Sequence, residues 1–115
     1  MTMNPKTNNE ILVTEALLLR LTDCETLDEI RVISLRNKEL LSCLRKLSQC
    51  LNLKIGYLQG NRLNLQDLMY LQAFKNLRKL DISHNKIVSL PGPQVFKGMV
   101  NLKFLYLHNN KIGKW

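Results

Sequence analysis

The apolar positions of this chain follow a recurring figure. Leucine or isoleucine takes the first, fourth, sixth and eleventh places, and asparagine the ninth. Two stretches match it throughout: Leu77-Arg-Lys-Leu80-Asp-Ile82-Ser-His-Asn85-Lys-Ile87 and Leu102-Lys-Phe-Leu105-Tyr-Leu107-His-Asn-Asn110-Lys-Ile112. An earlier stretch, Leu53-Lys-Ile-Gly56-Tyr-Leu58-Gln-Gly-Asn61-Arg-Leu63, puts Gly56 in the fourth place. Another, Ile30-Arg-Val-Ile33-Ser-Leu35-Arg-Asn-Lys38-Glu-Leu40, puts Lys38 in the ninth. The ninth places fall at 38, 61, 85 and 110, at intervals of 23, 24 and 25 residues. Such a period predicts a stack of similar coils, each able to bury its apolar side only against its neighbours.

Within each copy the alternation around the fourth and sixth places predicts a short strand. Ile33/Leu35, Leu58, Leu80/Ile82 and Leu105/Leu107 face inward, and the third, fifth and seventh places face outward. Neighbouring copies are expected to pair in parallel, about 4.8 Å apart. Asn61, Asn85 and Asn110 are expected to turn inward at the strand exit and satisfy open backbone groups. Lys38 has donors but no acceptor, so the first turn is expected to be looser or closed by Asn37. Gly56 leaves a gap over which Tyr57 or a neighbour is expected to lean.

The segments between strands supply a second wall. Leu40, Leu41, Leu44 and Leu47 recur at helical spacing, as do Leu65, Leu68, Met69 and Leu71, while Leu90, Val95, Phe96 and Met99 surround or follow Pro91-Gly92-Pro93. Ahead of the copies, Glu15 to Leu21 reads as an amphipathic helix capped by Thr14. Thr26-Leu-Asp-Glu29 has capping-box form over a single turn. The expected organisation is a disordered segment 1–10, a cap at 11–29, copies at 30–52, 53–76 and 77–101, and an incomplete copy at 102–115. The fourth copy has its strand but no return wall, so the chain is expected to be a truncated form or short isoform of a longer protein.

With 115 residues, 45% of them hydrophobic and 23% charged, the chain has material for one core. Neither a membrane span nor a secretory leader fits its first apolar run, Ile11 to Leu21, which is broken by Thr14, Glu15 and Arg20. A cytoplasmic protein is expected. Cys24, Cys43 and Cys50 are odd in number and form no CxxC pair, which points to reduced, buried thiols. Residues 1–39 carry seven acids against five bases, whereas residues 40–115 carry two acids, Asp67 and Asp81, against twelve bases. A basic field of this kind attracts acidic partners, nucleic acid or anionic surfaces, and it also keeps a protein soluble.

From about Thr14 to Trp115 these residues resemble the leucine-rich-repeat superfamily, most plainly in Leu105-Tyr-Leu107-His-Asn-Asn110-Lys-Ile112. Val13-Thr-Glu-Ala-Leu17, Leu27-Asp-Glu-Ile30 and Tyr57-Leu-Gln-Gly-Asn61 further resemble the start of intracellular proteins of the ciliary and axonemal group, related to the leucine-rich regulatory subunit of protein phosphatase 1. The resemblance implies an α/β leucine-rich-repeat solenoid with a short parallel concave sheet, a helical or irregular convex side and an N-terminal helical cap. It implies a non-catalytic scaffold that grips another protein, in the cytoplasm or a cilium.

The outward places single out candidate binding residues. The third place holds Val32, Ile55, Lys79 and Phe104; the fifth Ser34, Tyr57, Asp81 and Tyr106; the seventh Arg36, Gln59, Ser83 and His108. Aromatic rings on an outward strand face have no core to fill and are favoured interface anchors. Ile55, Tyr57, Lys79, Asp81, Phe104, Tyr106 and His108 are therefore the expected partner-binding set, set against the blander reading that these side chains merely cover one another. The second place is a base in every copy, Arg31, Lys54, Arg78 and Lys103, expected at the rim of the sheet face and suited to an acidic protein partner or simply to solvent.

His84 and His108 sit in adjacent copies, but a metal or catalytic role needs a third ligand or an orienting carboxylate, and only Asp81 is near in sequence. Without a phosphate-binding loop, H-E-x-x-H or G-x-S-x-G, no enzyme activity and no cofactor are implied. Two functions follow: a protein-interaction module, or a basic adaptor for nucleic acid or anionic surfaces, the latter marked by steep salt dependence.

Overall fold

A computed structural model describes residues 13–40 and 43–113. The polar segment 1–10, Leu41 and Trp115, each the subject of an expectation above, lie outside them. Helix α1 (Glu15–Thr22) begins where the Thr14 hydroxyl accepts a hydrogen bond from the Leu17 N–H at 3.1 Å. It runs one residue beyond the expected span because the Thr22 hydroxyl donates back to the Leu18 carbonyl at 2.8 Å. Asp23, at φ 58°, then takes the chain out of the helix. Leu18 is the fully buried residue of α1, which packs on the first strand.

The Thr26 capping box does not form. Residues Leu27–Glu29 make one 3₁₀ turn, Thr26 caps nothing with its side chain, and the Glu29 carboxylate instead accepts from the Glu25 N–H at 3.0 Å. The steeper rise of a 3₁₀ turn carries the carboxylate one residue past the reciprocal partner a capping box requires.

Four strands follow, β1 (Val32–Ser34), β2 (Ile55–Tyr57), β3 (Lys79–Asp81) and β4 (Phe104–Tyr106), in one parallel sheet in sequence order. Ile33, Gly56, Leu80 and Leu105 lie opposite one another across it. Ile33, Leu80 and the sixth-place residues Leu35, Leu58 and Ile82 are at most 2% exposed. At the β4 edge, Leu105 and Leu107 are only partly buried. Gly56 forgoes the roughly 1.5–3 kcal/mol that a buried leucine contributes. Its gap is closed from within the core: a Cβ at Gly56 would meet Leu80 Cδ1 at 3.4 Å and Leu53 Cδ2 at 3.8 Å. Tyr57 points the other way and does not lean over it.

The connections are short helices: α2 (Cys43–Leu47), α3 (Leu65–Leu68) running into a 3₁₀ turn at Met69–Ala73, and α4 (Pro93–Lys97). Leu40, Leu44, Leu47, Leu68, Leu71, Val95 and Met99 are buried as expected, and Leu90 and Phe96 partly so. Leu65 and Met69 are exposed, contrary to expectation. With four residues, α3 offers one inward side, taken by Asp67 and Leu68. Asn64 and Asp67 form a true capping box, each side chain accepting from the other's backbone N–H at 3.1 and 2.9 Å. Burial pushes the Asp67 carboxyl up from its ordinary value, and the bond from Asn64 offsets part of that. Phe74, which the leucine pattern passes over, is the largest fully buried side chain among the described residues.

The asparagines hold the stack together by reaching backward. Asn61 Oδ1 accepts from the N–H of Lys38 at 3.2 Å and of Leu40 at 3.0 Å, while its Nδ2 donates to the carbonyls of Leu35 and Leu58. Asn85 does the same for Leu63 N–H and the Leu58 carbonyl, and Asn110 for Asn85 N–H, Ile87 N–H and the Ile82 carbonyl. Each ninth-place asparagine thus closes the turn of the copy before its own. The first turn is closed by Asn61, not by Asn37, and Lys38 is tolerated because no earlier copy needs its amide.

The eighth place has a rule of its own. Asn37, Gly60, His84 and Asn109 have φ of 54°, 74°, 55° and 57°, the left-handed region that Gly, Asn and His tolerate best. At Gly60 a Cβ would also lie 1.8 Å from Asn37 Oδ1.

Candidate functional site

Strand register builds the outward face. Val32, Ile55, Lys79 and Phe104 lie side by side in one row, and Ser34, Tyr57, Asp81 and Tyr106 in the next. The intervening residues point into the core, so these rows point away from it. Six of the residues singled out by sequence (Ile55, Tyr57, Lys79, Asp81, Phe104 and Tyr106) fall in these rows, and the seventh, His108, stands edge-on to Tyr106 with ring centroids 6.5 Å apart. Phe104 is 54% exposed and Tyr106 37%, while Ile55 and Tyr57 are half-buried.

The tyrosines are held by cations. Lys79 Nζ lies 5.3 Å from the Tyr57 ring centroid and 5.7 Å from that of Tyr106, bridging two rings across neighbouring strands. The Arg36 guanidinium stands 4.8 Å from the Tyr57 centroid. Tyr57 is therefore largely covered by its neighbours, and Phe104 is the open aromatic of the face. Asp81 is engaged within its own strand: its Oδ1 accepts from the Ser83 hydroxyl at 2.6 Å and the Ser83 N–H at 3.0 Å. Ser83, two places on and on the same side as Asp81, is covered: a short side chain bonded to its neighbour is buried where Arg36 and His108 are exposed.

Ahead of the strands the second-place bases form a column. The backbone N–H groups of Lys54, Arg78 and Lys103 donate to the carbonyls of Arg31, Lys54 and Arg78 at 2.7, 2.8 and 2.8 Å, and all four side chains are exposed. Beside them runs a column of asparagines that the sequence reading missed. Asn52 donates from Nδ2 to the carbonyl of Asp28 ahead of the first copy, and Asn76 and Asn101 donate to those of Leu51 and Lys75 in the copy before their own, at 2.9, 3.1 and 2.8 Å. Their spacing repeats that of the ninth-place asparagines, which was the available signal.

Two recesses open between these columns. One, of about 260 Å³, is lined by Lys54, Asn76, Arg78, Asn101 and Lys103. The other, of about 250 Å³, is lined by Ile55, Lys79 and Phe104 with Lys54, Arg78 and Lys103. Three of the four second-place bases, Lys54, Arg78 and Lys103, are common to both, and among the described residues no acid lines either one.

His84 and His108 do meet, with ring centroids 5.3 Å apart and planes at 85°. Asn109 Nδ2 lies 3.2 Å from His84 Nε2. Asp81 is committed to Ser83, and among the described residues no group of three or more His, Cys, Asp or Glu is placed to hold a metal ion. The three cysteines are free, Cys43 and Cys50 buried and Cys24 partly so. Burial pushes the Cys43 thiol up to about 12 and the Cys50 thiol up to about 11, which leaves both protonated at neutral pH. No helix among the described residues is long and apolar enough to cross a membrane.

The model of the leucine-rich-repeat family, two copies, matches residues 75–115, the part of the chain that contains β3, α4 and β4. Residues 75–115 carry leucine-rich repeats. It is similar to the leucine-rich repeat and IQ domain-containing protein 3 of Mus musculus, 38% identical over 74 residues, and to that of Homo sapiens, 36% identical over 74 residues. Those matches cover 64% of this chain but only 11% and 12% of the two relatives. Leucine-rich repeats generally mediate protein–protein interaction, and here the leucines of the pattern are the residues that free the opposite side of the strands.

Proposed function

We propose that this leucine-rich-repeat chain is a non-catalytic interaction module that binds another protein across the outward sheet face, the concave side of a solenoid. Ile55, Tyr57, Lys79, Asp81, Phe104, Tyr106 and His108 contact the partner, residues 11–29 cap the first coil, and residues 30–52, 53–76, 77–101 and 102–115 are the repeats. One observation supports this most: Phe104 and Tyr106 stand exposed on the outward side of β4, where they continue the rows of Ile55 and Tyr57. Exposed aromatic residues in such a position are the anchors from which interfaces draw most of their energy. A Phe104→Ala/Tyr106→Ala double variant is expected to lose a partner that photo-crosslinks to the wild-type face, with an unchanged circular dichroism spectrum. Full retention of that partner rejects the site.

A second reading is favoured by the exposed column Arg31, Lys54, Arg78 and Lys103: a basic adaptor for nucleic acid or an anionic surface. It predicts affinity for duplex DNA that falls steeply between about 50 and 200 mM salt. A place in a ciliary or cytoskeletal assembly is supported by the resemblance of Val13–Leu17, Leu27–Ile30 and Tyr57–Asn61 to the ciliary and axonemal group. Axonemal localisation of the tagged protein tests it.

A further inference from the structure

The two recesses adjoin because they share Lys54, Arg78 and Lys103, yet they differ in chemistry. The first presents ammonium, guanidinium and amide groups; the second is lined by Ile55 and Phe104 with Lys79 and the bases, whose stems can add to its apolar surface. At about 250 Å³ the apolar recess is smaller than the roughly 300 Å³ at which small-molecule pockets begin. It suits one side chain of a peptide. The neighbouring recess, with three cations and no acid in its lining, suits a carboxylate.

Resting on the protein-interaction reading above, we infer that the paired recesses are a docking site for an acidic peptide segment, taking one large apolar side chain beside Ile55 and Phe104 and a flanking carboxylate between Arg78 and Lys103. Charge complementarity selects this occupant. Beyond residue 39 the chain has twelve bases against two acids, and one of those acids, Asp81, is held by Ser83. A single-stranded nucleic acid fits less well, since a track of bases needs successive open rings and Phe104 alone offers one here: Lys79 and Arg36 cover Tyr57 while Lys79 stands against Tyr106.

The test uses the whole chain, isotope-labelled, and four defined probes: the peptide acetyl-EEFEE-amide, its QQFQQ and EEAEE counterparts, and a thymidine 12-mer. EEFEE is expected to shift the amide resonances of Lys54, Arg78, Lys103 and Phe104 and to bind at least fivefold more tightly than either counterpart. Arg78→Gln and Lys103→Gln, both at exposed positions, are each expected to weaken it about two- to fivefold, the range for exposed ion pairs, without moving the thermal midpoint. Equal binding of QQFQQ, shifts confined to other residues, or tighter binding of the 12-mer at the same residues would each overturn the acidic-peptide site. If that happens while Phe104→Ala/Tyr106→Ala still releases the crosslinked partner, the interaction module stands and only the chemistry of its partner is wrong.

Discussion

Asn61 secures a turn that is not its own: its side-chain oxygen accepts the Leu40 N–H at 3.0 Å, across a gap of 21 residues in sequence. The same amide holds three further backbone groups, and the side chain is only 4% exposed.

Replacing Asn61 by Ala strands buried donors and acceptors from two coils at once. The expected loss is about 2–4 kcal/mol, since each buried group left without a partner costs about 1–3 kcal/mol and partial relaxation recovers some of it. Lys38→Asn, at the equivalent place of the first copy, is expected to change stability by less than about 0.5 kcal/mol because no earlier turn awaits it. Urea titrations of both variants check the asymmetry.

Two glycines in the second copy are predicted to respond with opposite signs. Gly60→Ala puts a Cβ onto Asn37 in a left-handed turn, with an expected cost of at least about 1–2 kcal/mol. Gly56→Ala meets ordinary contact distances and is expected to stabilise by about 0.4–1 kcal/mol, chiefly by restricting the unfolded chain. Thermal midpoints compared side by side would show whether the gap beside Leu80 is as accommodating as its distances indicate.

The Lys79 ammonium between two tyrosine rings gives a third expectation. Lys79→Gln should cost about 0.5–1 kcal/mol, the size of exposed cation–π contacts, while Lys79→Arg should retain most of it. No change on Lys79→Gln would mean that the rings are held by register alone.

Thiol chemistry provides a fourth. Cys24 is expected to react with a neutral-pH thiol reagent in the folded protein, with Cys43 and Cys50 reacting only on unfolding. A thiol raised to about 12 in the fold, against 9.0 when free, favours the folded state's protonated form. The contribution of Cys43 is therefore fully present below pH 9 and is lost as pH rises from 9 towards 12. Cys43→Ala should flatten the decline in stability across that alkaline window.

The leucine positions were legible because burial leaves the fourth and sixth places little choice of residue, and Thr14 because its hydroxyl acts on its own helix. The direction in which Asn61 reaches was not, since sequence alone does not say which coil an amide serves. Asn76 and Asn101 lay in plain view at the same period but outside the leucine figure. Ser83 and Asp81 were expected on the outer face, but that the pair would bond to each other and leave the serine covered was not legible. On the candidate face, register placed six of the seven expected residues together, whereas the stacking of His108 beside Tyr106 and the covering of Tyr57 by Arg36 and Lys79 depend on side-chain rotamers that no spacing encodes.

Because every amide lock is supplied by the coil that follows, closure during synthesis must run behind elongation. Leu40 and its turn wait for Asn61 to leave the ribosome, and Leu63 waits for Asn85. At about 5–20 residues per second each coil spends about one to five seconds translated but unlatched. A nascent chain of this kind always carries one open turn at its growing end, which is where a chaperone or a premature contact would find it.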